Sequence, residues 1–324
     1  MPTPQNYADL TAANKMYEAL FMEVFDNPQN EIASNHLAFA DTRPITGKTA
    51  ELINHEALHG WREWIGEKTR EVPMISNKSV SLRSYYKAMS VKRLDLRLDN
   101  LGVLEGAIRT FLGEQALAVY DKYATEMLVS NSGAGPTGYD GVDVFSATHP
   151  RGGTSGGTWS NLTTSALDYA TFDTALIGIQ GWLDTKGDPK GVFPDTLMVG
   201  PKLRKKAQEV TGADELIAVN SSGALHATSS VVAVGKLPNV YGGGQVNVVI
   251  NPRLNGTQDD YWYLLNSRAR NKVVQGWVYR DPEAFSSTDM DEQRRRNIDT
   301  FEFDVEADFV FDAGDPHAGY AGIL

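Results

Sequence analysis

The sequence contains no cysteine, which excludes disulfide staples and thiolate chemistry. It has no apolar run approaching the roughly 18 residues that a bilayer-spanning helix needs. The N-terminal Met-Pro-Thr-Pro-Gln-Asn lacks the basic and apolar regions of a signal peptide. A reducing cytoplasm is therefore the natural place of synthesis. Excess positive charge is missing too: 30 Lys and Arg face 41 Asp and Glu, for a formal charge of −11. Neutralising phosphate takes clustered cations, so a general nucleic-acid binder is disfavoured. No internal repeat and no obvious pair of catalytic carboxylates stands out. What remains is 324 residues, 41% hydrophobic and 22% charged, enough for a large core and about two domains.

Two long patterns dominate. Leu101, Leu104, Ile108, Phe111, Leu112, Val119, Tyr123 and Met127 recur at helical spacing, with Asp99 or Asn100 as cap and Ser130-Asn131-Ser132-Gly133 as stop. This predicts one amphipathic helix from Leu101 to about Val129, roughly 40 Å long. Near the other end, Phe301, Phe303, Val305, Ala307, Phe309 and Phe311 alternate with Glu302, Asp304, Glu306 and Asp308; only Val310 breaks the period. A period of two held this long predicts a half-buried strand of roughly 35 Å, matched in length to the helix.

Between Gly66 and Val91 the chain reads as an out-and-back hairpin turning near Ser76-Asn77-Lys78. Its arms carry little apolar surface, and a two-stranded ribbon alone is marginal in water. The expectation is that it rests on another copy of the chain. Upstream, Tyr17, Leu20, Phe21, Val24 and Phe25 form a short amphipathic stripe, read as a docking arm, and Trp61-Arg62-Glu63-Trp64-Ile65-Gly66 makes an aromatic corner. Further helices are expected at Asp168–Leu183 and Lys202–Val210. Strands are expected at Thr196–Val199, Val246–Ile250, Tyr261–Leu265 and Val273–Tyr279.

Four motifs imitate catalysis. His55-Glu56-Ala57-Leu58-His59 fits the zinc-protease pattern, but Gly60 follows where the helix must continue and no third histidine comes six residues on. Gly47-Lys48-Thr49 lacks the leading glycine of a phosphate loop, since Thr42 stands there, and Pro44 interrupts it. Gly133-Ala134-Gly135-Pro136-Thr137-Gly138 follows a helix instead of a strand. Gly153-Thr154-Ser155-Gly156-Gly157 sits among glycines after Pro150, without the strand and helix of a nucleophile elbow. No enzyme, metal or cofactor is expected from them.

The chain from about Trp61 onward resembles the major head subunit family of Mu-like tailed phages. The marks are Arg62-Glu63-Trp64-Ile65-Gly66, Val91-Lys92-Arg93, the long helix, Tyr139-Asp140-Gly141, Phe145-Ser146-Ala147-Thr148-His149-Pro150, Gly157-Thr158-Trp159-Ser160-Asn161-Leu162, Leu197-Met198-Val199-Gly200-Pro201 and Trp262-Tyr263-Leu264-Leu265, in that order. The first sixty residues and Gly242-Gly243-Gly244 depart from it. The resemblance implies an α+β chain with the Hong Kong 97-type capsid fold. Its parts would be an N-terminal arm with the aromatic corner at 1–65, an E-loop hairpin at 66–93, a peripheral (P) domain at 94–160 and 286–324 with the long spine helix and strand, and an axial (A) domain at 161–285.

The implied function is mechanical: copies close into an icosahedral virion shell around double-stranded DNA, assembled in the host cytoplasm. The partners would be other copies in pentamers and hexamers, with a scaffold, a portal and a maturation protease, and no membrane. Lys78, Arg83 and Lys87 are the expected E-loop contacts with a neighbour. Glu302 and Asp304 are expected to face Arg294, Arg295 or Arg296 of a neighbour. An encapsulin-like protein compartment is the alternative shell, and a zinc metalloprotease acting through His55-Glu56-x-x-His59 the remaining alternative.

Overall fold

The computed structural model describes residues 35–55, 75–92, 115–151, 157–184, 186–212, 215–219, 233–239, 241, 245–286 and 300–324. Two sheets organise them. The first runs β1 (Ala40–Pro44), β13 (Val274–Ser286), β14 (Thr300–Ala313), β4 (Arg83–Lys92). The second runs β11 (Asn247–Ile250), β8 (Thr196–Val199), β12 (Trp262–Leu265), β15 (Gly319–Gly322), β7 (Leu162–Thr163). Smaller ribbons pair β2 (Thr49–His55) with β3 (Ile75–Ser81), β5 (His149–Pro150) with β6 (Thr158–Trp159), and β9 (Glu215–Val219) with β10 (Ala233–Pro238). The mixture is α+β.

Helix α1 covers Gln115–Leu128; the earlier part of the expected 101–129 helix lies outside the described residues. The stop falls where the sequence placed it. Asn131, Ser132 and Gly133 take φ of 50°, 59° and 95°, a left-handed run that no helix continues through. Gly133 has a second reason to be glycine, because a Cβ there would meet the Tyr261 ring at 2.7 Å.

The second sheet is covered on both faces, so its strands are apolar throughout rather than alternating. Met198, Tyr263, Leu265 and Ala321 face a core shared with Ala124 and Leu128 of α1 and with Phe309 and Phe311 of β14. Leu197, Val199, Trp262 and Leu264 face the opposite way, against helices α2 (Tyr169–Gln180) and α3 (Arg204–Gly212). Asp168 starts α2 with a reciprocal capping box to Thr171.

Three expectations are corrected. The hairpin is not residues 66–93 turning at Ser76–Lys78. Residues 75–81 form one strand antiparallel to β2, with Leu52 opposite Lys78 and Asn54 opposite Ser76. The ribbon is thus built from 49–55 and 75–81, and the return segment 83–92 lies along β14 in the same chain from Lys92 opposite Thr300 to Arg83 opposite Phe309. Burial decides this pairing: Ala50, Leu52 and Val80 are apolar on one ribbon face and pack on Trp277 and Val310. Secondly, the root of the excursion is therefore seated on its own subunit and does not depend on a second copy. Thirdly, the expected boundary at 285/286 does not follow the sheets, because β13 (274–286) pairs with β14 whereas β15 joins the second sheet.

Candidate assembly surface

The surface is organised by β14. Its apolar face, Ala307, Phe309 and Phe311, is buried against α1. Tyr85 of β4 stacks on Phe309 with centroids 4.5 Å apart and lies 4.3 Å from Tyr123, while Tyr120 meets Phe309 edge-on at 5.1 Å. Aromatic pairs at these separations add to their burial. They fasten β4 to the body.

The acidic face of β14 is answered from within the chain. Arg280 of β13, at an irregularity in the ladder, reaches Glu306 at 2.9 Å and Asp308 at 3.0 Å. Val310, the residue that interrupts the alternation, is apolar because the ribbon root covers it. Asp312 takes Lys78 at 2.5 Å, and the same ammonium donates to the Thr137 carbonyl at 2.7 Å.

The expected contact residues accordingly divide. Lys78 is half-buried in an ion pair of its own chain. Arg83 is exposed on β4 and hydrogen-bonds Tyr85, whose hydroxyl is nonetheless pushed up by burial. Lys87, opposite Val305, is exposed, and burial together with the nearby Lys122 ammonium holds it below the usual lysine range. Asp304 is half-buried opposite Ala88, and Glu302 lies opposite Ser90. Arg294, Arg295 and Arg296 lie outside the described residues. Arg280 was the missed partner. It sits in the interior of an otherwise apolar strand pattern, which is the signal that could have found it.

Tyr85, Tyr86, Lys87, Lys122, Tyr123 and Arg253 line a cleft of about 420 Å³ between β4 and α1. Arg253 is held there by the fully buried Asp121, 2.6 Å away. Burial pushes Asp121 up, against the pull of Arg253 and of a backbone hydrogen bond from His36. Tyr86 leaves 79% of its surface exposed. Among the described residues no strand pairs with the outer edge of β4.

The two sheets are joined through a stack of rings. His149 lies on Trp159 at 4.4 Å, and Trp159 on His317 at 4.0 Å, with Trp182 edge-on to Trp159 at 4.8 Å. Both ring nitrogens of His149 meet oxygens: Asp140 at 2.6 Å on one side, Val144 O and Asn161 Oδ1 at 3.1 Å on the other. Asn161 donates to the carbonyls of Val144 and Pro316 and accepts from the N–H of Ser146. The Tyr139–Leu162 motifs that carried the resemblance are therefore a structural joint, with every polar arm of Asn161 spent on backbone.

The motifs that imitate catalysis gather no chemistry. His55 ends β2, where a zinc-protease pair needs a helix; Glu56 to His59 lie outside the described residues. Among the described residues no cluster of three His, Cys, Asp or Glu could hold a metal, and no helix is long and apolar enough to cross a membrane.

Comparison with known proteins follows this geometry. A family model described as phage capsid protein matches residues 75–322. No curated protein matches the chain. Among solved structures, one from Mycobacterium phage Patience is 12% identical, covering 96% of this chain and 87% of that one with a TM-score of 0.54. The bacteriophage JBD30 capsid is 18% identical over 70% of this chain and 94% of that one, with a TM-score of 0.52. The capsid of cyanophage P-SCSP1u is 10% identical over 89% and 86%, with a TM-score of 0.51. At these identities the structures speak for the fold, which is the Hong Kong 97 type. With the family model spanning well over half of its length, the chain belongs to the phage capsid protein family, as a major capsid protein.

Proposed function

We propose that this chain is the head subunit of a Mu-like tailed phage or prophage, and that its copies close into an icosahedral shell around double-stranded DNA. The P domain is assigned to the first sheet with α1, the A domain to the second sheet with α2 and α3, and the E-loop to the β2–β3 ribbon with the segment 56–74 that joins its strands. Assembly occurs in the host cytoplasm with a scaffold, a portal and a maturation protease as partners. Shell building suits such a chain, since individually modest contacts add up through symmetry. The acidic surface also limits adhesion of DNA during packing.

One observation carries this reading: the ribbon is rooted but not enclosed. Ala50, Leu52 and Val80 are buried on Trp277 and Val310, while Glu51, Asn77, Ser79 and Ser81 are exposed. A rooted ribbon with an outer part beyond the body has reach toward a neighbour at no cost to its own fold. The test shortens it. His55 and Ile75 face each other across the ribbon, so residues 56–74 can be replaced by an Asn-Gly turn. The variant should fold with unchanged circular dichroism yet form no closed shells by electron microscopy. Normal shells would overturn the proposed role of the ribbon. Nuclease-resistant DNA in wild-type heads from infected or induced cells separates this reading from a protein-cargo compartment.

A further inference from the structure

The cleft between β4 and α1 carries more cationic and aromatic surface than the fold uses. Lys87 and Lys122 stand close enough for one to depress the other. The one near carboxylate among the Lys122 contacts is Glu126, at 3.9 Å on the exposed helix surface. The walls are apolar and aromatic: Tyr85, Tyr86 and Tyr123, with Val305 and Ala307 behind them. A site of this composition selects an acidic segment that also presents apolar side chains, and its lysines repel a basic one.

The chain contains such a segment. Residues 1–34 hold Asp9, Glu18, Glu23, Asp26 and Glu31 against a single Lys15, and the stripe Tyr17, Leu20, Phe21, Val24 and Phe25 lies between those acids. Its point of entry is fixed. Asn35 donates to the Ile250 carbonyl, the His36 backbone hydrogen-bonds Asp121, and the His36 ring lies 6.3 Å from that of Tyr120. Asp121 is on α1, next to Lys122 and on the same helix as Ala118 and Val119, which also line the cleft. Ten residues separate Phe25 from Asn35, a span of up to about 33 Å when extended, ample to bring the stripe to the cleft.

We propose that the acidic N-terminal segment of the same chain docks in this cleft, with its carboxylates on Lys87 and Lys122 and its apolar stripe on Tyr86 and Tyr123. Docking closes the open side of β4 with the chain's own arm. The inference does not depend on the shell reading.

Tyr86, being exposed, tolerates a photo-crosslinking residue. Tyr86→p-benzoylphenylalanine is produced in the full-length chain, and equal parts of 15N-labelled and unlabelled protein are mixed and irradiated unassembled at high dilution. Adducts joining position 86 to peptides within residues 7–31, both halves carrying the same isotope, are expected. Adducts of mixed isotope would assign the cleft to a neighbouring copy and overturn the proposal, as would the absence of adducts to residues 1–34. Adding Lys87→Glu with Lys122→Glu should cut adduct yield at least tenfold, whereas Lys87→Arg with Lys122→Arg should retain it. Equal yields from the two double variants would remove the electrostatic basis. Failure of the wild-type chain to build shells would count against the proposed function and leave the cross-link result standing.

Discussion

Lys78, on the ribbon, and Asp312, two residues before the end of β14, form an ion pair of 2.5 Å at the point where the excursion leaves the body. The pair pins the ribbon root to the long strand, and the Thr137 carbonyl shares the same ammonium. Both side chains are largely withdrawn from water, so removal of one leaves the other poorly solvated. Lys78→Met should lower stability by about 1–3 kcal/mol. For a chain of this size that is a melting shift of at least a few degrees. An unchanged melting temperature would show that the pair contributes nothing at the root.

Tyr85 and Tyr86 are adjacent on β4 and should behave oppositely. Tyr85→Ala removes a ring stacked on Phe309 and Tyr123 and should cost about 2–4 kcal/mol. Tyr86→Ala, at a side chain 79% exposed, should stay within about 0.5 kcal/mol. Denaturant titration of both variants checks the packing of β4 on its own subunit; equal effects would contradict it.

Two glycines offer a second contrast. A Cβ at Gly314 would stand 1.9 Å from the Lys272 carbonyl oxygen, where the chain turns out of β14. Gly314→Ala must displace backbone and should leave little soluble folded protein. Gly178, in the middle of α2, has nothing within 4 Å of its Cβ position. There Gly178→Ala should stabilise by about 0.5–1 kcal/mol, read as a rise in melting temperature.

Acid should loosen the joint between the sheets. Burial pushes His317 below the usual histidine range, against the pull of its Asp315 hydrogen bond. Burial also opposes ionisation of Asp315, but His317 and Lys190 outweigh it and bring that carboxyl down to about 2. Both groups are lower in the folded state than in the unfolded chain. The stability they supply is therefore complete above about pH 6.5 for His317 and above about pH 3.8 for Asp315, and is lost as pH falls through each folded value. Trp159, stacked on His317, reports the change: its fluorescence should alter first below about pH 6.5. In His317→Gln that first step should vanish while the step near Asp315 persists.

Much of the fold was legible because it rests on periodicity. Phe301 to Phe311 alternates since one face of β14 meets α1, and the stop after Val129 is written in residues that accept positive φ. Even the exception was informative. Val310 breaks the acidic face because Ala50, Leu52 and Val80 cover that spot, although the sequence does not say what covers it. The ribbon was misread for a related reason. Thr49–His55 alternates weakly, and His55 drew attention as part of a metal motif instead of as the end of a strand. Local pattern assigns a strand but not its partner.

Of the surface residues, Lys87 kept an exposed place beside a cleft and Lys78 did not. Both are lysines on strands, and their sequence surroundings do not distinguish them. The difference lies in Asp312, 234 residues from Lys78. Arg280 likewise pairs with Glu306 and Asp308 only because a bulged ladder brings it across them.

By itself the sequence determined the length and faces of the main strand, the end of the helix, the absence of thiol chemistry and the net acidity, since each follows from residue type and short-range spacing. The tertiary structure alone decided which strand pairs with which, which charges neutralise each other inside the chain, and which surface remains exposed. Those outcomes depend on contacts between residues hundreds of positions apart, selected by the burial of apolar faces that no local pattern encodes.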